Sequence, residues 1–286
     1  MLEYYIKDNI YLEITMINAV IVCHQGIGDI ITMSGAIVYL KQFYKKINLI
    51  CKDKNLKHIK SFFQNYDIDF ISINSNLEFK ETEIKIINYF NNTSNDIFIS
   101  GECFNYLKKY KRISIPINQY QNKSINKQYA YNKNNYIYTL FSNFYNDYNL
   151  SIDVYFDYFV FISNENSRKL YNLISNYYII FIQLQSSDNK NLNITNLLKK
   201  YLDNDNVILI CNDKNLYNEK SEKYNICKNF IMTDFINYYD TIINANEIYV
   251  IDSCFSCIVY PLLITKKLKA HKVEIIDRTN VDKIII

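Results

Sequence analysis

Short apolar runs alternate with longer stretches of helical period along most of the chain. The first run, Ile17-Asn-Ala-Val-Ile-Val-Cys23, reads as a strand buried on both faces. It breaks at Gly26-Ile27-Gly28-Asp29, and Ile30, Met33, Ile37, Leu40 and Phe43 then recur at helical spacing. The pattern goes on to predict strands over 47–51, 68–73 and 96–100, with helices over 55–66 and 81–90. Strands and helices of these lengths, taken in turn, imply βαβ units and a parallel sheet covered on both faces.

Residues 118–149 are rich in Asn, Tyr, Gln and Lys and have the composition of a linker, but aromatics at helical spacing from Tyr136 to Tyr148 predict a helix that closes a first domain. The strand rhythm resumes over 177–184, 206–211, 247–251 and 272–276. Helices are expected over 197–202, 235–245 and from about Phe255. The expected fold is α/β, with two Rossmann-like domains, 1–160 and 161–286, facing across a cleft. A ligand would lie at the carboxyl ends of the strands. No internal repeat is visible.

Composition changes the picture little. Of the 286 residues 40 are Asn, 29 Lys and 28 Tyr, against 4 Gly, 2 Pro, 3 Arg and no Trp. That bias follows AT-rich codons and reports an AT-rich genome rather than a chemistry. A net charge of +3 is too small to argue for nucleic-acid binding. No apolar run approaches the ~20 residues of a membrane span, and Glu3, Asp8 and Glu13 interrupt the first residues in a way a signal peptide would not. Seven scattered cysteines suit a reducing compartment, so a cytoplasmic location is expected.

Three of the four glycines, Gly26, Gly28 and Gly35, fall within ten residues. Gly-x-Gly between a strand and a helix allows a positive φ and close approach of a ligand. A tight turn with close helix packing would use the same residues. A dinucleotide fingerprint wants a third glycine where Ile31 stands, although Asp53 after the second strand could serve as the ribose-binding acid. An NAD- or S-adenosylmethionine-dependent enzyme therefore stays open. Asp29 would sit poorly beside a pyrophosphate. It is better placed as a helix cap or as a base facing an uncharged hydroxyl.

The run Gly28-Asp29-Ile-Ile-Thr-Met-Ser-Gly35-Ala36-Ile37-Val-Tyr-Leu40 resembles the start of glycosyltransferase family 9, the lipopolysaccharide heptosyltransferases. Residues 159–174, where Ser163-Asn164-Glu165 opens a helix, and Asn246-Glu-Ile-Tyr-Val-Ile-Asp252-Ser253 are similar to later parts of that family. The resemblance implies a GT-B fold and metal-independent, inverting transfer of a sugar from a nucleotide-diphosphate sugar to an acceptor hydroxyl, with no further cofactor. Asp29 takes the position of the family's general base, and Gly26 and Gly28 shape the acceptor side. Ser186, Ser187 and Lys190 follow the strand at 177–184 and correspond to the family's phosphate loop, and Asp252 and Ser253 complete the donor side. The implied partners are the sugar donor and a glycan or glycolipid acceptor, with peripheral membrane contact, although no basic amphipathic stretch argues for the latter.

The sequence departs from the family in two places. The glycine before the serine of the phosphate loop is missing, and Cys254 and Cys257 stand where Gly and His are usual. These departures favour an alternative, a non-catalytic nucleotide-sugar or glycan binder. Cys254-x-x-Cys257 has no second ligand pair for zinc and reads as thiols on a core helix. His24 beside the glycine loop and Glu102 after the strand at 96–100 are further candidates for ligand contact.

Overall fold

The computed structural model describes residues 17–23, 26–114, 136–186, 188–201, 204–217, 219–221, 223–231, 233–279 and 286. The chain divides into two units, Met1–Val160 and Phe161–Ile286.

The first unit runs β1 (Asn18–Val22), α1 (Ile27–Thr32), α2 (Ser34–Leu40), β2 (Lys46–Lys52), α3 (Asp53–Phe62), β3 (Ile68–Ile73), α4 (Phe79–Asn91) and β4 (Asp96–Ile99). A 3₁₀ stretch, Glu102–Tyr110, follows, and then α5 (Tyr136–Asn146) and α6 (Asp153–Tyr158). Its sheet has the order β3-β2-β1-β4, with every pair parallel. Ala19 to Val22 of β1 are fully buried because both faces of this inner strand are covered. On one face Val20, Val22, Ile97 and Ile99 pack with Ile86, Phe90 and Leu107. On the other, Phe98 meets Tyr44 and Tyr148 edge-on at 5.6 and 5.2 Å.

The glycine-loop helix is interrupted where an unbroken one was expected. The hydroxyl of Tyr145 on α5 donates to the Thr32 carbonyl at 2.8 Å and accepts the Ala36 N–H at 3.3 Å. Those two groups would otherwise bond to each other, so an inserted side chain splits the helix into α1 and α2 at Met33. Gly35 serves close packing: a Cβ there would lie 2.7 Å from both Tyr155 Cα and Val154 O of α6. Positive φ is not what the loop uses, since Gly26 has φ −73° and Gly28 is helical. The glycine with positive φ is Gly101 (φ 91°), at the end of β4.

The second unit runs α7 (Glu165–Asn172), β5 (Tyr178–Gln183), α8 (Thr195–Tyr201), β6 (Val207–Cys211), a 3₁₀ turn (Lys214–Leu216) and α9 (Tyr224–Ile231). A 3₁₀ stretch (Phe235–Tyr238), α10 (Tyr239–Asn244), β7 (Glu247–Ile251), α11 (Ser256–Ile264) and β8 (Lys272–Ile276) complete it. This sheet is also parallel, in the order β6-β5-β7-β8. Ile180, Ile182, Tyr249, Ile251 and Ile276 cover one face with Leu192, Ile194, Leu197 and Tyr201 of the α8 segment. Phe181 on the other face packs edge-on against Tyr238 and Phe255. Asn164 caps α7, accepting the Ser167 N–H at 2.9 Å, while Ser167 Oγ accepts the Asn164 N–H.

The strands expected from sequence are present to within a residue or two. The expected helix over 235–245 begins as a 3₁₀ stretch, and Glu102–Tyr110, α6 and α9 were not anticipated. The middle of α6, Val154, Tyr155 and Phe156, is buried without a break, so no helical period marks it. Only Cys227 and Phe230 of α9 are buried, which leaves its stripe too thin to read.

Candidate functional site

In the first sheet the chain passes from β1 outward to β2 and β3 and then returns to place β4 on β1's other side. In open α/β sheets ligands bind outside the carboxyl ends of the strands at such a reversal. The segment after β1 therefore stands where a ligand would be met, with Gly101 after β4 beside it: Ser100 N–H bonds the Val22 carbonyl at 2.9 Å.

Asp29 is the third residue of α1, and its Oδ2 accepts the Gly26 N–H at 3.1 Å. The carboxylate thus fixes the turn into the helix from within the helix, while Gly26 is the N-cap. A Cβ on Gly26 would sit 2.7 Å from that oxygen, so the glycine keeps room for the carboxylate. Thr32 Oγ1 donates to the Gly28 carbonyl at 3.0 Å, closing the other side of this turn. Burial, with the nearby Asp29 charge adding to it, pushes the Cys23 thiol up. His24 and the side chain of Glu102 lie outside the described residues.

Asp53, weighed from sequence as a ribose-binding acid, has Oδ1 occupied by backbone. It accepts the Ser75 N–H at 2.9 Å and the Lys54 N–H at 2.7 Å, and the Ser75 bonds hold its carboxyl below the usual range. It ties the turn after β3 to the start of α3.

In the second unit the reversal falls at β5 and β7, and three loops meet at those carboxyl ends. The loop after β5 closes on itself between Ser186 and Lys190. Ser186 N–H donates to the Lys190 carbonyl at 3.0 Å, Lys190 N–H returns a bond to Ser186 Oγ at 3.2 Å, and Asn189 turns with φ 63°. Ser186 is 5 % exposed, and its hydroxyl donates to Asp188. Ser187 lies outside the described residues. Lys190 Nζ donates to the Arg278 carbonyl at 3.0 Å, on the loop after β8.

After β7, Asp252 is 2 % exposed and its N–H bonds the Ile276 carbonyl at 2.8 Å. Asp252 does not cap α11, whose N-cap is Phe255. Instead Ser256 Oγ reaches Asp252 Oδ1 at 3.4 Å and the Ser253 carbonyl at 2.6 Å, while the Ser253 N–H donates back to Ser256 Oγ at 3.1 Å. Burial pushes the Asp252 carboxyl above its ordinary value, against the pull of Arg278. At the end of β5, Gln183 is also buried, and its Oε1 has no hydrogen-bond partner among the described residues. Cys257 sits in α11, with Sγ 3.4 Å from the Ser253 carbonyl, and burial raises the half-buried Cys254 thiol.

The structure thus brings Ser186, Lys190, Asp252 and Ser253 to one end of one sheet and adds Arg278 and Gln183, which the sequence reading passed over. Arg278 had a signal: it is one of 3 arginines, and it stands two residues after β8.

No protein-family model and no curated protein matches the sequence. Among solved structures, the chain is similar to a glycosyl transferase family 9 protein from Veillonella parvula DSM 2008. The match covers 96% of this chain and 91% of that one, with a TM-score of 0.50 and 11% identity. It also matches ADP-heptose lps heptosyltransferase II from E. coli, at TM-score 0.46 and 10% identity over 91% of this chain and 90% of that one. The α/β architecture with two parallel four-stranded sheets is therefore a glycosyltransferase family 9-like fold.

Proposed function

We propose that the protein is an inverting, metal-independent glycosyltransferase that moves a sugar from a nucleotide-diphosphate sugar to an acceptor hydroxyl. The observation that carries this reading is Asp29, held by the Gly26 amide at the carboxyl end of β1, in a fold similar to that of a glycosyl transferase family 9 structure. Fold alone is analogy, so the chemistry rests on the residues.

In this mechanism the acceptor oxygen attacks the anomeric carbon as the bond from that carbon to the diphosphate oxygen breaks. The bonding pair leaves with the diphosphate, and the acceptor proton passes to the Asp29 carboxylate. Charge building on the diphosphate calls for cations or backbone amides, which the loops at the carboxyl ends of β5 and β7, carrying Lys190 and Ser253, offer. The Gly26 and Gly28 turn shapes the acceptor side. The acceptor is a glycan or glycolipid, and the reaction needs no bound cofactor.

The non-catalytic alternative draws support from the two departures from the family, Cys254 and Cys257 where Gly and His are usual and no glycine before the serine of the phosphate loop. A panel of ADP-, UDP-, GDP-, dTDP- and CMP-sugars, with NAD and S-adenosylmethionine beside them, tests the readings by thermal shift and nucleotide release. One nucleotide series at 100 times its dissociation constant should stabilise the protein by about 2.7 kcal/mol. Asp29→Asn should lower turnover by about 10²- to 10⁴-fold and leave donor affinity unchanged. Binding without release of nucleotide would select the non-catalytic reading. A response to NAD or S-adenosylmethionine alone would discard both.

A further inference from the structure

The carboxyl end of the second sheet holds an ion pair of unusual geometry. Arg278 Nε lies 3.5 Å from Asp252 Oδ2, and among the described residues neither of these buried atoms has a hydrogen-bond partner. The Asp252 side chain is only 3 % exposed, whereas that of Arg278 is 32 % exposed. A buried carboxylate oxygen faced by a cation but not bonded to it is a costly arrangement. It leaves the guanidinium only loosely committed to its partner.

Lys190 is committed elsewhere. Its ammonium bonds the Arg278 carbonyl, crossing the end of β7 from the loop after β5 to the loop after β8. This lysine therefore holds the backbone that carries the arginine. The two cations also differ in kind. An ammonium is a point charge, whereas a guanidinium is a planar fork that can keep one edge on a carboxylate and give another to two oxygens of a phosphate.

We infer that Arg278 is the cation that meets the leaving diphosphate, and that Lys190 is a positioning residue acting through it. The identity of the anion rests on the transferase reading above. The charges around the pair sharpen the inference. Asp188 lies in the field of both Arg278 and Lys190, Asp252 faces Arg278, and the Asp277 charge reaches Asp252. An anion entering on the free edge of the guanidinium is repelled by the Asp252 charge on the other. Removing the Asp252 charge should therefore tighten anion binding, which loss of a merely structural ion pair would not do.

The test is calorimetric titration of the full chain with inorganic pyrophosphate at fixed pH and ionic strength. Arg278→Gln should weaken binding about tenfold or more. Lys190→Gln should weaken it less, and the double variant should bind no more weakly than Arg278→Gln alone, because both changes act on one contact. Asp252→Asn should bind more tightly than wild type. Arg278→Lys keeps the charge but loses the fork, so it should recover only part of the affinity, and it carries the test if the Gln variant fails to fold. Wild-type-like binding by Arg278→Gln, additive losses in the double variant, weaker binding by Asp252→Asn, or a wild-type protein indifferent to pyrophosphate would each overturn the assignment. Pyrophosphate binding of the expected pattern without turnover of any nucleotide-sugar would retire the transferase reading and leave Arg278 in place. Turnover with pyrophosphate binding unaffected by Arg278→Gln would do the reverse.

Discussion

Glu247, the first residue of β7, is a carboxylate at the amino end of the second sheet with only 3 % exposure. Burial alone would push its carboxyl up. The hydroxyls of Tyr201 at 2.6 Å, Tyr178 at 2.7 Å and Tyr249 all donate to it and outweigh burial, so its pKa is held below the ordinary value. His271 Nε2 lies 3.9 Å from the same carboxylate, and Lys200 adds to the favourable field. A carboxyl lowered by folding stabilises the protein above its unfolded value of ~4.3, and that stability is lost as pH falls through the lower folded value. The urea midpoint of wild type should therefore drop between about pH 5 and pH 3, and Glu247→Gln should flatten this drop. Parallel curves for the two proteins would refute the assignment. At this scale the sequence was legible where a residue type and its neighbours in the chain sufficed, as for Asp29 beside its glycines. It was silent on the meeting of Lys190 with Arg278, which depends on strand order, and on Glu247, whose three tyrosines come from three elements.

At the level of elements, Tyr145 replaces one rung of the helical ladder between α1 and α2. Tyr145→Phe would leave the buried Thr32 carbonyl and Ala36 N–H without the hydroxyl that bonds both. It should cost about 1–3 kcal/mol, read as a lower urea midpoint. A variant as stable as wild type would show that the two segments simply rejoin as one helix. The joint is tight as well, since the backbone of α6 leaves no space for a Cβ at Gly35. The strands were legible because two-sided burial makes each an unbroken apolar run. The split at Met33 was not, because its cause lies more than a hundred residues away. Nor were α6, whose buried core has no period, and α9, whose stripe is only two residues wide.

For the whole molecule, the alternation of strands and helices was enough to foresee α/β units with parallel sheets, and the fold is similar to that of a glycosyl transferase family 9 structure at 11% identity. Such low identity is the expected outcome when apolar patterning, rather than particular side chains, specifies the sheets. Among the described residues no helix is long and apolar enough to cross a membrane. The order of strands in the first sheet also governs how the chain comes off a ribosome. Among the described residues β1 is the first strand made, yet it is an inner strand, and its edge toward β4 has no described strand beside it until β4 has been synthesised. Ala19 to Val22, fully buried in the finished fold and without a charge, form that edge. A growing or refolding chain thus offers an apolar template to its neighbours for as long as β4 is missing. Recovery from urea should fall steeply as protein concentration rises, with light scattering rising in step, whereas a recovery independent of concentration would show that the edge is shielded during synthesis.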